Sequence, residues 1–227
     1  MEARLSDRID VLDYGFVRLV EFMGNDLSVV RAARVSYDAA WRAGENEGSD
    51  ARLINYLWMH KHTTPFESVE FQFEVKAPIF VFRQWRRHRT WSYNELSARY
   101  RELPEEFYVP EPALIGKQSA SSKQARDIGA ETDGVSSSMI RLACEAGFGI
   151  YRDLLARGVP RELARSVLPV ATYSHMFAKV DLKNLFHFLT LRSDAHAQYE
   201  IRVYAEAMLQ LIEPIVPACV SAWRAAP

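Results

Sequence analysis

Residues Val69 to Lys76 alternate strictly between apolar and polar side chains. Successive side chains of a β-strand point to opposite faces. Val69, Phe71, Phe73 and Val75 therefore share one side, and Glu70, Gln72, Glu74 and Lys76 the other. A sheet built on such a strand packs a core against one face only, the habit of antiparallel sheets. The remaining segments must then bring helices to that single apolar face.

The sequence offers those helices. Asp26 can cap a helix through Val29, Val30, Ala33 and Val35. Ala43 to Ser49 is polar and reads as a loop. Asp50 opens a second helix, with Leu53, Ile54, Leu57 and Trp58 on one face, ending near His60-Lys61-His62. Pro78 suits the start of a helix carrying Ile79, Phe80, Phe82 and Trp85 and running into Arg86-Arg87-His88. Further helices are expected over about 139–156, from Pro160 to Pro169, over 182–191 and over 195–212. One or two short strands fit Ile9 to Met23, with a turn at Asp13-Tyr14-Gly15. We therefore expect an α+β fold, a single domain over residues 1–227 with a largely antiparallel sheet packed with several helices. Glu111 to Ser138 is rich in Ser, Ala, Lys and Asp, and reads as a mobile polar insertion.

The net charge of −1 gives no general footprint for nucleic acid, so any anion site must be local. The two cysteines, Cys144 and Cys219, form no CxxC pair, and a reducing cytoplasm is the expected setting. No apolar run approaches the length of a membrane span, and Met1 to Asp10 has no signal-like apolar core.

Charge is concentrated between residues 83 and 101, RQWRRHRTWSYNELSARYR, where five cationic or titratable side chains precede the first acid, Glu95. Arginine forks suit phosphates and carboxylates. On a continuous helix Gln84, Arg87 and His88 would share one face. Three readings fit the stretch on its own: an anion site, a solvated helix end held by the helix dipole, or an RNA patch in which Trp85, Trp91, Tyr93 and Tyr100 stack on bases.

The full string resembles a family signature. Arg87-His88-Arg89, seven further residues and Ser97, with Ser92 to Leu96 between and Arg99-Tyr100 after, is similar to the motif of flavin-dependent thymidylate synthases. The resemblance continues in Gly24-Asn25-Asp26, in Arg31 to Ser36, and in His62, Thr64, Pro65, Phe66 and Glu67. It recurs in Gly158 to Arg165 with Leu168-Pro169, and in Leu191 to Gln198. The segment 111–138 matches nothing in it.

The resemblance implies conversion of dUMP to dTMP, with 5,10-methylenetetrahydrofolate as carbon donor and reduced FAD, recharged by NADPH, as hydride source. It implies a homotetramer whose active sites are shared between subunits. Thr64, Arg87, His88, Arg89, Glu95, Asp181, Leu182, Lys183 and His187 would hold FAD. Asp181 and His187 depart from the asparagines expected there. Gln84, Trp85, Arg86, Arg87, Glu95, Leu96, Ser97, Ala98, Arg99, Arg165 and Arg192 would bind dUMP. Arg192 would sit at the uracil ring and promote ionisation at N3, with His196, one turn on, orienting it or simply packing. His62 would lie near flavin or folate.

Other signals are weaker. Ser97 has no base in sight that would make it a nucleophile. Each cysteine reads as a small buried residue. His60 and His62 lack the further ligands of a metal site, so none is expected. Gly147-Phe148-Gly149 lacks the strand and third glycine of a dinucleotide loop and reads as a close-packing site in a helix. A flavin- or RNA-binding protein without synthase activity stays open on the residues alone.

Overall fold

The computed structural model describes residues 8–128 and 134–226. Strand β1 (Arg8–Val11) turns back into β2 (Gly15–Met23), as the alternation there predicts. Strand β3 (Glu70–Pro78) pairs with β2 on one side. On its other side runs β7 (Tyr173–Asp181), aligned Glu70↔Asp181 to Pro78↔Tyr173. The short β4 (Ser92–Glu95) closes the edge, giving the order β1-β2-β3-β7-β4 with every pairing antiparallel.

The core lies where the alternation of β3 places it. Phe71, Phe73, Val75 and Ala77 are fully buried, and Ser174, Met176, Ala178 and Val180 of β7 continue that surface. Burying an aromatic of this size contributes about 2–3 kcal/mol. On the opposite face polar groups pair across strands: Arg18 and His175 both reach Glu74, and Lys179 meets Glu70 at 2.9 Å.

Helices α1 (Asp26–Arg34), α2 (Glu47–Met59) and α3 (Ile79–Trp85) come early in the chain. The cap of α1 is Asn25 rather than Asp26: its side chain accepts from Leu27 N (3.0 Å), while Ser28 Oγ accepts from Asn25 N (3.2 Å). Asp26 is thereby freed to accept from the backbone N–H groups of Ala218 and Cys219. Helix α2 starts ahead of Asp50, capped by Asn46, because Asp50 is turned inward onto Arg34 at 2.6 Å.

The polar segment 111–138 carries α4 (Pro112–Ile115), the two-strand ladder β5 (Lys117–Gln118) and β6 (Arg126–Asp127), and the first turn of α5 (Gly134–Ala156); residues 129–133 of it lie outside the described set. A second small core, Phe107, Cys144, Phe148, Tyr151 and Ala164, joins α5 to α6 (Arg161–Ala164). There a Cβ on Gly147 would lie 3.2 Å from Pro169 and 3.3 Å from the Val167 carbonyl, the close packing expected of that glycine. Helices α7 (Leu182–Arg192), α8 (Tyr199–Ile212) and α9 (Pro217–Ala225) complete the chain. No helix among the described residues is long and apolar enough to cross a membrane.

Candidate active site

Helix α3 stops at Trp85 because that side chain is committed to the core. It is 0% exposed and packs on Phe188, Trp91 and Tyr204, with ring centres 4.8, 5.8 and 6.2 Å away. Past it the chain tightens, with Arg87 N–H donating to Gln84 O and His88 N–H to Trp85 O. Tyr93 Oη donates to the carbonyls of Trp85 and His88 at 3.1 and 3.0 Å and pins the turn. The shared helical face expected for Gln84, Arg87 and His88 is therefore replaced by a turn. Arg87 and Arg89 point outward, and His88 folds inward to 6% exposure.

The inward His88 meets the end of α7. Arg192 Nε donates to His88 Nε2 at 3.0 Å, and its Nη2 to the Gln84 carbonyl at 3.4 Å. An Nε2 that accepts belongs to a neutral imidazole protonated on Nδ1. Burial first, then the charge of Arg192 and the neighbouring His187, pushes the His88 pKa down to about 4. Burial also lowers that of Arg192, whose cation sits at a helix C-terminus, where the dipole favours it. Two of the five N–H donors of the guanidinium are engaged; the rest have no partner among the described residues. Arg192 forms no salt bridge with Asp194 or Glu200, the acids that follow it in sequence. Asp194 binds His196, and Glu200 binds Arg126.

His196 does not touch Arg192. The helix breaks at Ser193 and resumes only at Tyr199, so the one-turn spacing expected for the pair is lost, and His196 is exposed against Asp194 at 2.9 Å. The side chain that does reach this corner is Gln198, which accepts from Gln84 Nε2.

A second group surrounds the loop after β4. Leu96 N–H donates to His175 O at 2.8 Å, and Ser97 Oγ accepts from Arg99 N–H at 3.3 Å with no base beside it among the described residues. Arg99 lies 3.3 Å from Glu162, which ties the loop to α6 and so to the exposed Arg165. Glu95 links the two groups: one oxygen takes the Ser174 hydroxyl at 2.7 Å and the other pairs with Arg86. A third group lies at the start of α7. Asp181 caps that helix by accepting from Asn184 N–H at 2.9 Å, and Lys183 holds Glu67 at 2.5 Å beside the exposed Thr64.

Two of the residues expected at the ligands lie inside the fold. Trp85 and Leu182 are fully buried, backbone included, and their main-chain groups are engaged within the fold: Leu182 N–H donates to Val69 O, and Trp85 O accepts from Tyr93 Oη. Ala98 is also largely buried. The RNA-stacking reading loses its platform too. Trp91 is buried, Tyr93 spends its hydroxyl on the turn, and only Tyr100, 83% exposed, is open. Both cysteines are buried thiols whose pKa burial raises, unsuited to nucleophilic attack. Gln198 and Glu200 lay within or beside the motif ending at residue 198, yet nothing in that string said which of its side chains turn inward.

An arginine-rich turn, a partly unengaged guanidinium at a helix end and a hydroxyl-arginine loop define a class: an α+β domain with local cationic groups suited to an anionic ligand. The comparisons narrow this. The model of the family described as thymidylate synthase complementing protein matches residues 18–218. The chain is 51% identical over 217 residues to the flavin-dependent thymidylate synthase of Thermus thermophilus, covering 96% of this chain and 77% of the relative. With that of Rickettsia conorii it shares 46% over 232 residues, covering 96% and 78%. A solved UMP/dUMP methylase, PolB of Streptomyces cacaoi bound with 5-Br dUMP, superposes with a TM-score of 0.84 at 41% identity, over 96% of this chain and 98% of that one. The chain belongs to the flavin-dependent thymidylate synthase family.

Proposed function

We propose that this protein converts dUMP to dTMP, with 5,10-methylenetetrahydrofolate as carbon donor and FAD, reduced by NADPH, as hydride source. The observation that carries the reading is Arg192, fixed by a neutral histidine and a backbone carbonyl with donors left over. A guanidinium is a poor proton acceptor. Its role is electrostatic: it stabilises the uracil ring deprotonated at N3, which makes C5 more nucleophilic. The Ser97 hydroxyl and the guanidinium groups of Arg99 and Arg165 suit the nucleotide phosphate, with Gln84, Arg86, Leu96 and Ala98 lining the path between phosphate and ring.

The donor set also fits FAD. Arg87 and Arg89 are exposed and have no carboxylate partner among the described residues, as cations reserved for a pyrophosphate would be. Thr64, Asp181, Lys183, His187 and Glu95 complete the proposed flavin surface. His88 differs in kind. Its Nε2 is taken by Arg192, so it positions that residue and offers the flavin only the rest of its ring. FAD, bound there and reduced by NADPH, would supply the hydride for the methyl group. We extend the proposal to the homotetramer with shared sites that the family resemblance implies, and two buried free thiols suit a cytoplasmic setting.

The test is Arg192→Ala in the flavin-loaded protein. dTMP formation should nearly vanish while the flavin spectrum persists; normal turnover would remove the assignment. UMP is a second substrate to assay beside dUMP, because PolB was also solved with 5-Br UMP, at 40% identity and a TM-score of 0.83.

A further inference from the structure

Glu200 is a carboxylate in the wrong place for a helix surface residue: at 1% exposure it is buried at the start of α8. A buried carboxylate needs a compensating charge and hydrogen-bond donors. Three groups supply them. Arg126 donates to Oε1 at 2.7 Å, Tyr108 Oη donates to the same oxygen at 3.1 Å, and Gln198 Nε2 donates to Oε2 at 2.8 Å. Arg126 is the one cation on Glu200 among the described residues, and it comes from β6 in the polar segment that the family motifs leave unassigned.

Glu200 also fixes the direction of a chain of amides. A carboxylate accepts and does not donate, so the Gln198 atom facing it must be the amide nitrogen. The Gln198 carbonyl then faces Gln84, which must donate to it with its own nitrogen. That leaves the Gln84 carbonyl oxygen and one remaining N–H as the groups it can present to a ligand. An amide without this constraint could turn end for end and offer the reverse pattern.

We infer that Arg126 and Glu200 are positioning residues for the nucleotide site, acting through Gln198 to set which end of the Gln84 amide meets the substrate. The polar segment thus contributes to the site through its β6 arginine. The inference rests on the proposed nucleotide role of Gln84.

The test is a double-mutant cycle read as Kd for dUMP, by titration calorimetry on flavin-loaded protein. Arg126→Met should weaken dUMP binding about tenfold, the scale of one charge-assisted hydrogen bond. In a Gln84→Ala background the same change should weaken it less than about twofold. The flavin spectrum should not change, and Arg126→Lys should recover part of the loss. If Arg126→Met does not fold, Glu200→Gln carries the same cycle, since it keeps the shape and removes the directional constraint. Equal penalties in both backgrounds overturn the relay alone. Unchanged dUMP affinity in Gln84→Ala removes the nucleotide role of Gln84 and the inference with it. Unchanged dUMP affinity in Arg126→Met overturns the relay, whereas wild-type protein that binds dUMP but forms no dTMP overturns the proposed reaction and leaves the relay to the cycle.

Discussion

Arg192 Nε and His88 Nε2 lie 3.0 Å apart, with the arginine donating and the imidazole accepting. The contact joins the end of α7 to the turn after α3 across 104 positions of sequence. It makes His88 the residue that aims the guanidinium. A hydrogen bond to a charged group contributes about 1.5–3 kcal/mol, so His88→Ala should lower turnover roughly tenfold to a hundredfold through Arg192. His88→Gln places an acceptor near the lost Nε2 and should recover much of that. Steady-state kinetics on the three proteins checks the order wild type, Gln, Ala; a glutamine variant no better than alanine would separate the two residues functionally.

The same contact sets a pH dependence. The folded His88 titrates at about 4, below the ordinary 6.5, because burial and the adjacent Arg192 oppose a second positive charge. The unfolded chain therefore binds the proton more readily between those values. Stability rises with pH across that window and is flat above it; as pH falls from about 6.5 towards 4 the contribution is lost. Denaturation midpoints of wild type and His88→Gln should converge as the pH drops from 7 to 4. A constant gap would mean that His88 is not the group responsible.

The fold was legible where one residue type settles a position and opaque where partners do. Strand β3 announced itself because Phe71, Phe73 and Val75 are large and their neighbours charged or polar. Its partner β7 did not, because its core positions include Ser174 and Ala178 while its outward positions include Phe177. The alternation is present in burial and muted in hydrophobicity. At the site, the arginine turn and Ser97 could be read from spacing. The inward turn of His88 could not, since it depends on Trp85 ending α3 by filling the core. The roles of Arg126 and Glu200 depend on a contact across 74 positions, which no local pattern encodes.

Asp26 illustrates the same limit and gives a stability test. It sits beside the cap of its own helix and accepts from Ala218 and Cys219 N–H at 2.9 and 3.0 Å, in the first turn of α9. Losing a side-chain cap costs about 1 kcal/mol, and here one carboxylate serves two donors. Asp26→Ala should therefore destabilise the protein by about 1–2 kcal/mol, and the loss should appear as faster hydrogen exchange in α9 rather than in α1. Asn25→Ala should do the reverse, loosening α1, since its side chain caps that helix alone.

Gly15 shows how tightly the sheet is tied to α8. A Cβ built there would fall 2.0 Å from Tyr204 Oη and 2.6 Å from the Val11 carbonyl. The tyrosine cannot retreat freely, because it is fully buried and its hydroxyl donates to Lys76 O at 2.8 Å. Gly15→Ala must displace that phenol or open the β1–β2 turn, and overpacking of this kind costs about 1–3 kcal/mol. Tyr204→Phe relieves the nearest clash while giving up one hydrogen bond worth about 1 kcal/mol. The two changes touch the same atoms, so they should not add: the double variant should be less destabilised than the sum of the singles. Chemical denaturation of the four proteins measures this, and strict additivity would mean that the phenol is not what excludes a side chain at position 15.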